Sequence, residues 1–274
     1  QISVLVILAT GFTYALIASE LDLSFASVAS LAGVVCGGLV HAGVAFPLAI
    51  AAALGVAAGF GLVNGLLVTR LRIPSLIATL ATASIATGLG FAFTDGVAWV
   101  GRWDRSFVWL GRGEILGLPV LVIWPTLLAL ASWFAVAHTR AGVWLVATGE
   151  AEEAARLAGI PTRRMKLLGL TLSGLLAGVG AVLLTASLSS AGPNGAADFL
   201  MKGIAAVLLG MTMFDPGRPN IAGTVVGSLI IGVLANGLVL LGVPYYVQDI
   251  TLGLIIIGSV AVSASALAKA AFGI

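Results

Sequence analysis

The side chains that could support catalysis are few in this sequence. Histidine occurs only as His41 and His138, and Cys36 is the only cysteine. A metal site or an activated nucleophile needs such groups clustered with carboxylates. Both histidines fall instead at the ends of long apolar runs, and no zinc-protease spacing or catalytic triad is present. We therefore expect no catalytic and no metal-binding residues, which leaves an intramembrane enzyme as a weak alternative.

The sequence also lacks the means to bind ATP through its own phosphate-binding loop. That loop requires a Gly-Lys step within G-x-x-x-x-G-K-[ST]. The three lysines, Lys166, Lys202 and Lys269, follow Met or Ala instead of Gly. An energy source based on ATP would have to come from another subunit.

A compact group of charges lies in residues 150–160. Gly159 can supply a left-handed C-terminal cap to a short helix that Pro161 ends. One face of this helix is a stripe of alanines at spacing i, i+3, i+4, i+7, namely Ala151, Ala154, Ala155 and Ala158, and the other faces carry Glu150, Glu152, Glu153 and Arg156. The stripe allows another surface to approach closely. A loop helix that packs on its own bundle has the same pattern, so both interpretations stay open on the residues alone.

The elements that position these charges are membrane spans. The chain has 274 residues, of which 60% are hydrophobic and 9% charged, and its mean hydropathy is +1.16. Soluble domains carry about 25% charged residues, so lipid must be the solvent here. We predict an all-α polytopic membrane protein that forms a single domain over residues 1–274. Its nine spans fall near residues 2–19, 26–44, 46–69, 76–94, 119–137, 167–188, 203–214, 221–241 and 250–268, the seventh being short enough for a half-span.

The basic residues give the orientation. If the spans alternate, nine of them share one side, namely Arg70, Arg72, Arg140, Arg156, Arg163, Arg164, Lys166, Arg218 and Lys269, and four lie on the other, namely Arg102, Arg105, Arg112 and Lys202. The positive-inside rule places the larger group, and with it residues 150–166, in the cytosol. This asymmetry accounts for the net charge of +2 without a basic stripe, so nucleic acid is not an expected partner.

A few polar residues fall at membrane depth, where they are costly and mark a pathway or a buried pair. Glu20 and Asp22 follow the first span, and Asn64 and Asn236 each begin an Asn-Gly-Leu step. The two steps form a faint inverted repeat, and such repeats bracket the central pathway of transporters. We predict that these four residues line a translocation pathway. Bonding of each amide to a neighbouring helix is the alternative.

Several glycines recur four residues apart and predict close approach between helices. The pairs are Gly33 with Gly37, Gly55 with Gly59, Gly61 with Gly65, Gly174 with Gly178 and Gly223 with Gly227. We interpret them as packing positions and not as binding sites.

Ordered motifs carry a family resemblance over nearly the whole chain. Glu153-Ala-Ala-Arg-Leu-Ala-Gly159 resembles the E-A-A-x-x-x-G signature of permease subunits of ATP-binding cassette importers. Leu21-Asp-Leu-Ser24, Ile77-Ala-Thr-Leu80 and Asn236-Gly-Leu-x-x-Leu-Gly-Val243 resemble, in order, motifs of the ribose-type monosaccharide permeases. Two departures stand out: Ser19-Glu20 replaces the usual Gly-Gly, and Glu150-Ala151 replaces the usual Gly-Asn. The second removes an asparagine that would cap the start of the short helix.

The resemblance implies a multi-pass subunit of the bacterial inner membrane that is not itself an enzyme. Its short helix would be a coupling helix that inserts into a cytosolic ATPase, which binds ATP and Mg. The other implied partners are a second permease subunit, identical or homologous, and an extracytoplasmic protein that delivers a monosaccharide or polyol. Family members usually have ten spans, so we expect one more span before Gln1. An ion-coupled secondary transporter that uses Asp22 and Glu20 is the alternative function.

Overall fold

The computed structural model describes residues 1–101 and 103–272, with side chains described up to residue 262. Arg102 and the side chain of Lys269 lie outside this description. The chain forms α1 (Ile2–Ile17), α2 (Phe25–His41), α3 (Phe46–Thr69), α4 (Ser75–Thr94), β1 (Trp99–Val100), α5 (Arg105–Arg112), β2 (Glu114–Ile115), β3 (Leu118–Pro119), α6 (Val120–His138), α7 (Arg140–Glu150), α8 (Glu152–Leu157), α9 (Thr162–Leu188), β4 (Ser190–Ala191), α10 (Phe199–Gly210), α11 (Ile221–Leu240) and α12 (Tyr245–Phe272).

The predicted all-α membrane architecture is confirmed, whereas the predicted number of nine spans is not confirmed. Six helices are long and apolar enough to cross a bilayer: α3, α4, α6, α9, α11 and the described part of α12. Three more apolar helices, α1, α2 and α10, coincide with predicted spans but are shorter. The α10 helix has 12 residues and is therefore about 18 Å long, well short of a hydrocarbon core of about 30 Å.

The centre of the bundle is α9, which packs against α1, α2 and α3. The α1 and α2 helices are apolar and buried on nearly all sides, as expected for helices that face protein and not lipid. Phe12 of α1 and Phe25 of α2 meet with their ring centroids 5.5 Å apart. The α4, α6, α11 and α12 helices lie outside this core and expose many large apolar side chains, which suits contact with lipid.

Close approach at paired glycines is confirmed at several positions and absent at one pair. A Cβ added at Gly61 of α3 would lie 2.5 Å from the carbonyl oxygen of Leu170 in α9, so the two helices touch through their backbones. No atom lies within 4 Å of such a Cβ at Gly55 or Gly59. The prediction for that pair is wrong within the described chain, because these two glycines face outward from the bundle.

The two ends of the bundle are built differently. At one end β1 pairs with β4, and the side chain of Arg112 donates from Nε to the carbonyl oxygen of Ser187 at 2.6 Å. At the other end lie α7, α8 and the connections that precede α2 and α11. Arg218 reaches Glu150 there, with 3.0 Å between Nη1 and Oε1. This contact places two segments that the charge pattern assigned to the cytosol side by side.

Candidate functional site

The helix predicted within residues 150–160 is present as α8, and its C-terminus is capped as predicted. Gly159 has φ +83°, a left-handed conformation that glycine adopts without a steric penalty. The Gly159 N–H donates to the carbonyl oxygen of Arg156, and the Ile160 N–H donates to that of Ala155, both at 3.0 Å. These two bonds form a Schellman motif, so the end of α8 is well defined by its backbone hydrogen bonds.

The start of α8 differs from the prediction. Ala151 has φ −154° and ψ 82°, which breaks the helix, and Glu150 is the last residue of α7. Ala151 therefore does not belong to the alanine stripe of α8. The start of α8 has no side-chain cap, because an alanine side chain cannot accept a hydrogen bond from the first free N–H groups of a helix.

Most of α8 projects from the bundle. Ala155 is buried, while Ala154, Ala158 and the charged residues are exposed. Leu157 is 87% exposed, although leucine is a residue type that normally packs in a core. The alternative that the alanine stripe packs on the chain's own bundle therefore holds only for Ala155. Leu157 supplies the large apolar side chain that helix-in-groove recognition uses.

Sequence reasoning missed Leu157 because its position next to the stripe gave no sign of exposure. The available signal was its size, since it is the one large apolar residue within α8.

One lysine anchors the inner side of α8. Lys166, in the first turns of α9, places Nζ 2.8 Å from Oε2 of Glu152 and 2.8 Å from Oε1 of Glu20. The Glu20 side chain is only 7% exposed. In contrast, Arg156 and Glu153 form a pair at 3.5 Å with side chains 68% and 90% exposed, and such exposed pairs contribute at most about 1 kcal/mol.

A cleft of about 780 Å³ lies beside α8. Its lining carries more cations than anions: Arg72, Arg156, Arg163, Arg164 and Lys166 against Glu20 and Glu152. The exposed helix and this basic cleft together form a continuous surface at the predicted cytosolic end.

The pathway residues predicted at membrane depth divide into two groups. Asn64 is fully buried: its Nδ2 donates to Ser24 Oγ at 2.8 Å, and its Oδ1 accepts from Thr82 Oγ1 at 2.6 Å. Ser24 in turn donates from its backbone N–H and its hydroxyl to Asp22 Oδ1. Asn64 and Asp22 thus belong to one network that joins α2, α3 and α4.

The other two residues lie elsewhere. Asn236 is exposed on α11, and Glu20 is paired with Lys166 at the predicted cytosolic end. The structure therefore does not bring all four predicted pathway residues to one place, and their contact with a solute stays a prediction.

The Asp22 carboxylate is enclosed by protein. Its Oδ2 atom is buried without a hydrogen-bond partner, and burial raises the pKa of the Asp22 carboxyl above its ordinary value. Among the described residues, no three His, Cys, Asp or Glu side chains are grouped closely enough to hold a metal ion.

Residues 1–260 match the family described as branched-chain amino acid transport system / permease component. The ribose import permease protein of Escherichia coli K12 is 37% identical over 96% of this chain and 83% of its own length. The corresponding protein of Bacillus subtilis is 36% identical over 94% and 80%, and the L-arabinose transport system permease protein of E. coli K12 is 35% identical over 92% and 76%. No solved structure matches the chain significantly. The chain therefore belongs to this permease family, as a ribose-type permease of ATP-binding cassette importers in the bacterial inner membrane.

Proposed function

We propose that this chain translocates a monosaccharide or related polyol, which an extracytoplasmic binding protein delivers, while a cytosolic ATPase drives the cycle through α8. The observation that carries the proposal is the exposure of Leu157 on a helix whose inner side is anchored and whose C-terminus is capped. A helix this short is not stable alone in water. Because the bundle holds α8 in place, α8 can insert into a groove of a partner without first having to fold.

The names of the relatives support the solute class, because those proteins are permeases for ribose and L-arabinose. A second permease subunit, identical or homologous, would complete the pathway. The outward apolar faces of α4, α6, α11 and α12 offer the area for such a contact as well as for lipid. Binding of ATP by the ATPase would then move the two α8 helices and alternate the access of the pathway. The residues of α8 transmit this motion and perform no chemistry.

Replacing Leu157 with arginine tests the docking role. We expect Leu157→Arg to weaken copurification of the ATPase at least about tenfold, because an anchor of an interface is worth about 2 kcal/mol or more. The fold should persist, since the side chain is 87% exposed. The measurement is the molar ratio of ATPase to permease after affinity purification through the permease.

Leu116→Arg is the matched control. Leu116 is 99% exposed on the β2–β3 hairpin, at the opposite end of the bundle. This variant should retain the ATPase at the wild-type ratio. Equal retention by the Leu157 and Leu116 variants would contradict docking through α8.

Replacing Asp22 with asparagine tests the ion-coupled alternative. We expect Asp22→Asn to retain uptake and thermal stability, because the asparagine oxygen can accept the bonds from Ser24 and burial already disfavours the charged carboxylate. Asp22→Ala should lower the free energy of unfolding by about 1–3 kcal/mol, since the buried Ser24 N–H then loses its side-chain acceptor.

Uptake into proteoliposomes and thermal unfolding in detergent measure both effects. If Asp22→Asn abolished uptake and left stability intact, the carboxylate itself would be required, and the ion-coupled mechanism would be favoured.

A further inference from the structure

One ammonium group connects three separate elements at the cytosolic end. Lys166 belongs to α9, Glu152 belongs to α8, and Glu20 belongs to the connection between α1 and α2. Both carboxylates lie 2.8 Å from Lys166 Nζ. No other charged side chain among the described residues joins three elements by ion pairs in this way.

Burial increases along the link formed by Glu152, Lys166 and Glu20, from the cytosol inward. The Glu152 side chain is 47% exposed, Lys166 17% and Glu20 7%. An exposed pair is screened by water and flexes freely, whereas loss of one partner from a buried pair leaves an uncompensated charge and costs several kcal/mol. The inner half, Lys166 with Glu20, is therefore the stiffer part of the link.

The connection that carries Glu20 is itself held by α4. The Leu21 N–H donates to Ser75 Oγ, and the Leu23 N–H donates to Thr79 Oγ1, both at 3.1 Å. Thr79 Oγ1 is also within hydrogen-bond distance of the Leu21 carbonyl oxygen. Because Ser75 and Thr79 lie in the first turns of α4, a displacement of the connection acts directly on the cytosolic end of that helix.

The same connection continues into the bundle. Two residues after Glu20, Asp22 begins the network through Ser24 to Asn64 of α3 and Thr82 of α4. A route thus runs from exposed α8 through two ion pairs to Glu20, along the backbone from Glu20 to Asp22, and through hydrogen bonds to polar groups inside the membrane domain.

We propose that the Glu152–Lys166–Glu20 link transmits movement of α8 to the α1–α2 connection and through it to α3 and α4. The proposal rests on the proposed function, because it gives the route by which the docked ATPase acts on the pathway. Lys166 and Glu20 are positioning residues in this scheme. The scheme requires them to act through α8 and the α1–α2 connection, and it requires no contact of either residue with the ATPase or the solute.

The test uses the complete complex in proteoliposomes, with the ATPase inside and the loaded binding protein outside. The readout is the ratio of binding-protein-stimulated to basal ATP hydrolysis, measured beside the amount of ATPase bound. Glu20→Gln removes the inner charge while Lys166 keeps Glu152 as a partner. We expect the ratio to fall about fivefold or more, as for a lost allosteric coupling of 1–3 kcal/mol, with the ATPase bound at the wild-type amount.

Further variants separate transmission from a general structural role. Lys166→Arg keeps the positive charge and should retain most of the ratio. In a serial link, Glu152→Gln and the double variant Glu20→Gln with Glu152→Gln should lower the ratio no further than Glu20→Gln alone, because one break already interrupts it. Independent effects would multiply. Asp215→Asn is the matched control at the same end of the bundle, because Asp215 is exposed in the connection before α11 and takes part in none of the ion pairs between described residues. This variant should leave the ratio unchanged.

The outcomes distinguish the link from the proposed function. If the wild-type chain bound no ATPase, the proposed function would fail and the link with it. If wild type bound and stimulated the ATPase and Glu20→Gln behaved like Asp215→Asn, the link alone would be refuted. The link would also be refuted if the double variant lowered the ratio by the product of the two single-variant effects. It would be refuted as well if Glu20→Gln lost both its thermal stability and its bound ATPase.

Discussion

Replacing Gly149 with alanine is expected to displace α8 and lower uptake at least about tenfold. A Cβ at this position would overlap the carbonyl oxygen of Ile17 and lie 3.2 Å from the Ser19 nitrogen. Both are backbone atoms and cannot rotate away. Forced overpacking costs about 1–3 kcal/mol and occasionally more, and 1.4 kcal/mol corresponds to a factor of ten.

The position of Gly149 explains why this packing cost should affect uptake. It lies two residues before the break at Ala151, from which α8 starts. The contact with Ile17 therefore fixes where α7 ends relative to α1, and so where α8 leaves the bundle. The measurements are uptake, thermal unfolding and the amount of ATPase that copurifies.

Gly55→Ala is the matched control for this prediction. It adds the same methyl group to a helix, but no atom lies within 4 Å of the new Cβ. Alanine in place of a helical glycine contributes about 0.5–1 kcal/mol of stability at either position, so the difference between the two variants isolates the overlap. Wild-type uptake and stability in Gly149→Ala would contradict the packing of α7 against α1.

Local features of the sequence predicted much of this molecule. Apolar length predicted the helices because a membrane span depends on composition over about 20 residues. The end of α8 followed from Gly159 and Pro161, since the left-handed cap is a property of one residue and its neighbours. The family followed from short motifs in order, each of which is continuous in the chain.

Features that depend on contacts between distant residues were not predictable. Glu20 was assigned to a pathway because its charge followed a span, yet it faces Lys166, which is distant in the sequence. Similar Asn-Gly-Leu steps led to one prediction for Asn64 and Asn236, although the first is enclosed by three helices and the second is exposed. Spacing showed which residues share a helix face but not which helix, lipid or subunit covers that face.

The asymmetry of the basic residues predicts the side of the membrane and not the contacts of single residues. The larger basic group was assigned to one side by counting, and the structure brings Arg218 and Lys166 of that group to acidic residues beside α8. The structure shows that these residues share one end of the bundle, and its cytosolic orientation stays a prediction, because the positive-inside rule concerns the side of the membrane and not individual partners. The rule therefore predicts a common side for these residues without identifying a single contact among them.

The enclosed position of Asn64 predicts a structural role that the pathway interpretation did not include. Asn64→Leu should lower the free energy of unfolding by about 0.5–1.5 kcal/mol for each of the two lost hydrogen bonds, because Ser24 Oγ loses a donor and Thr82 loses an acceptor. Ser24 keeps its bond to Asp22 and Thr82 keeps its bond to the carbonyl oxygen of Thr79, so the larger penalty for a fully unpaired hydroxyl is not expected. Thermal unfolding and uptake should decline together in this variant.

Asn236→Leu separates that role from a place in the pathway. Its amide is exposed on α11, so the substitution should change stability by no more than about 0.5 kcal/mol. If the amide hydrogen-bonds to the passing solute, uptake should still fall about threefold to tenfold, the worth of one hydrogen bond of 0.5–1.5 kcal/mol. Full uptake in a stable Asn236→Leu variant would remove this residue from the pathway. In that case the inverted repeat would reflect only the packing of two similar helices, one against its own bundle and the other against lipid or a second subunit.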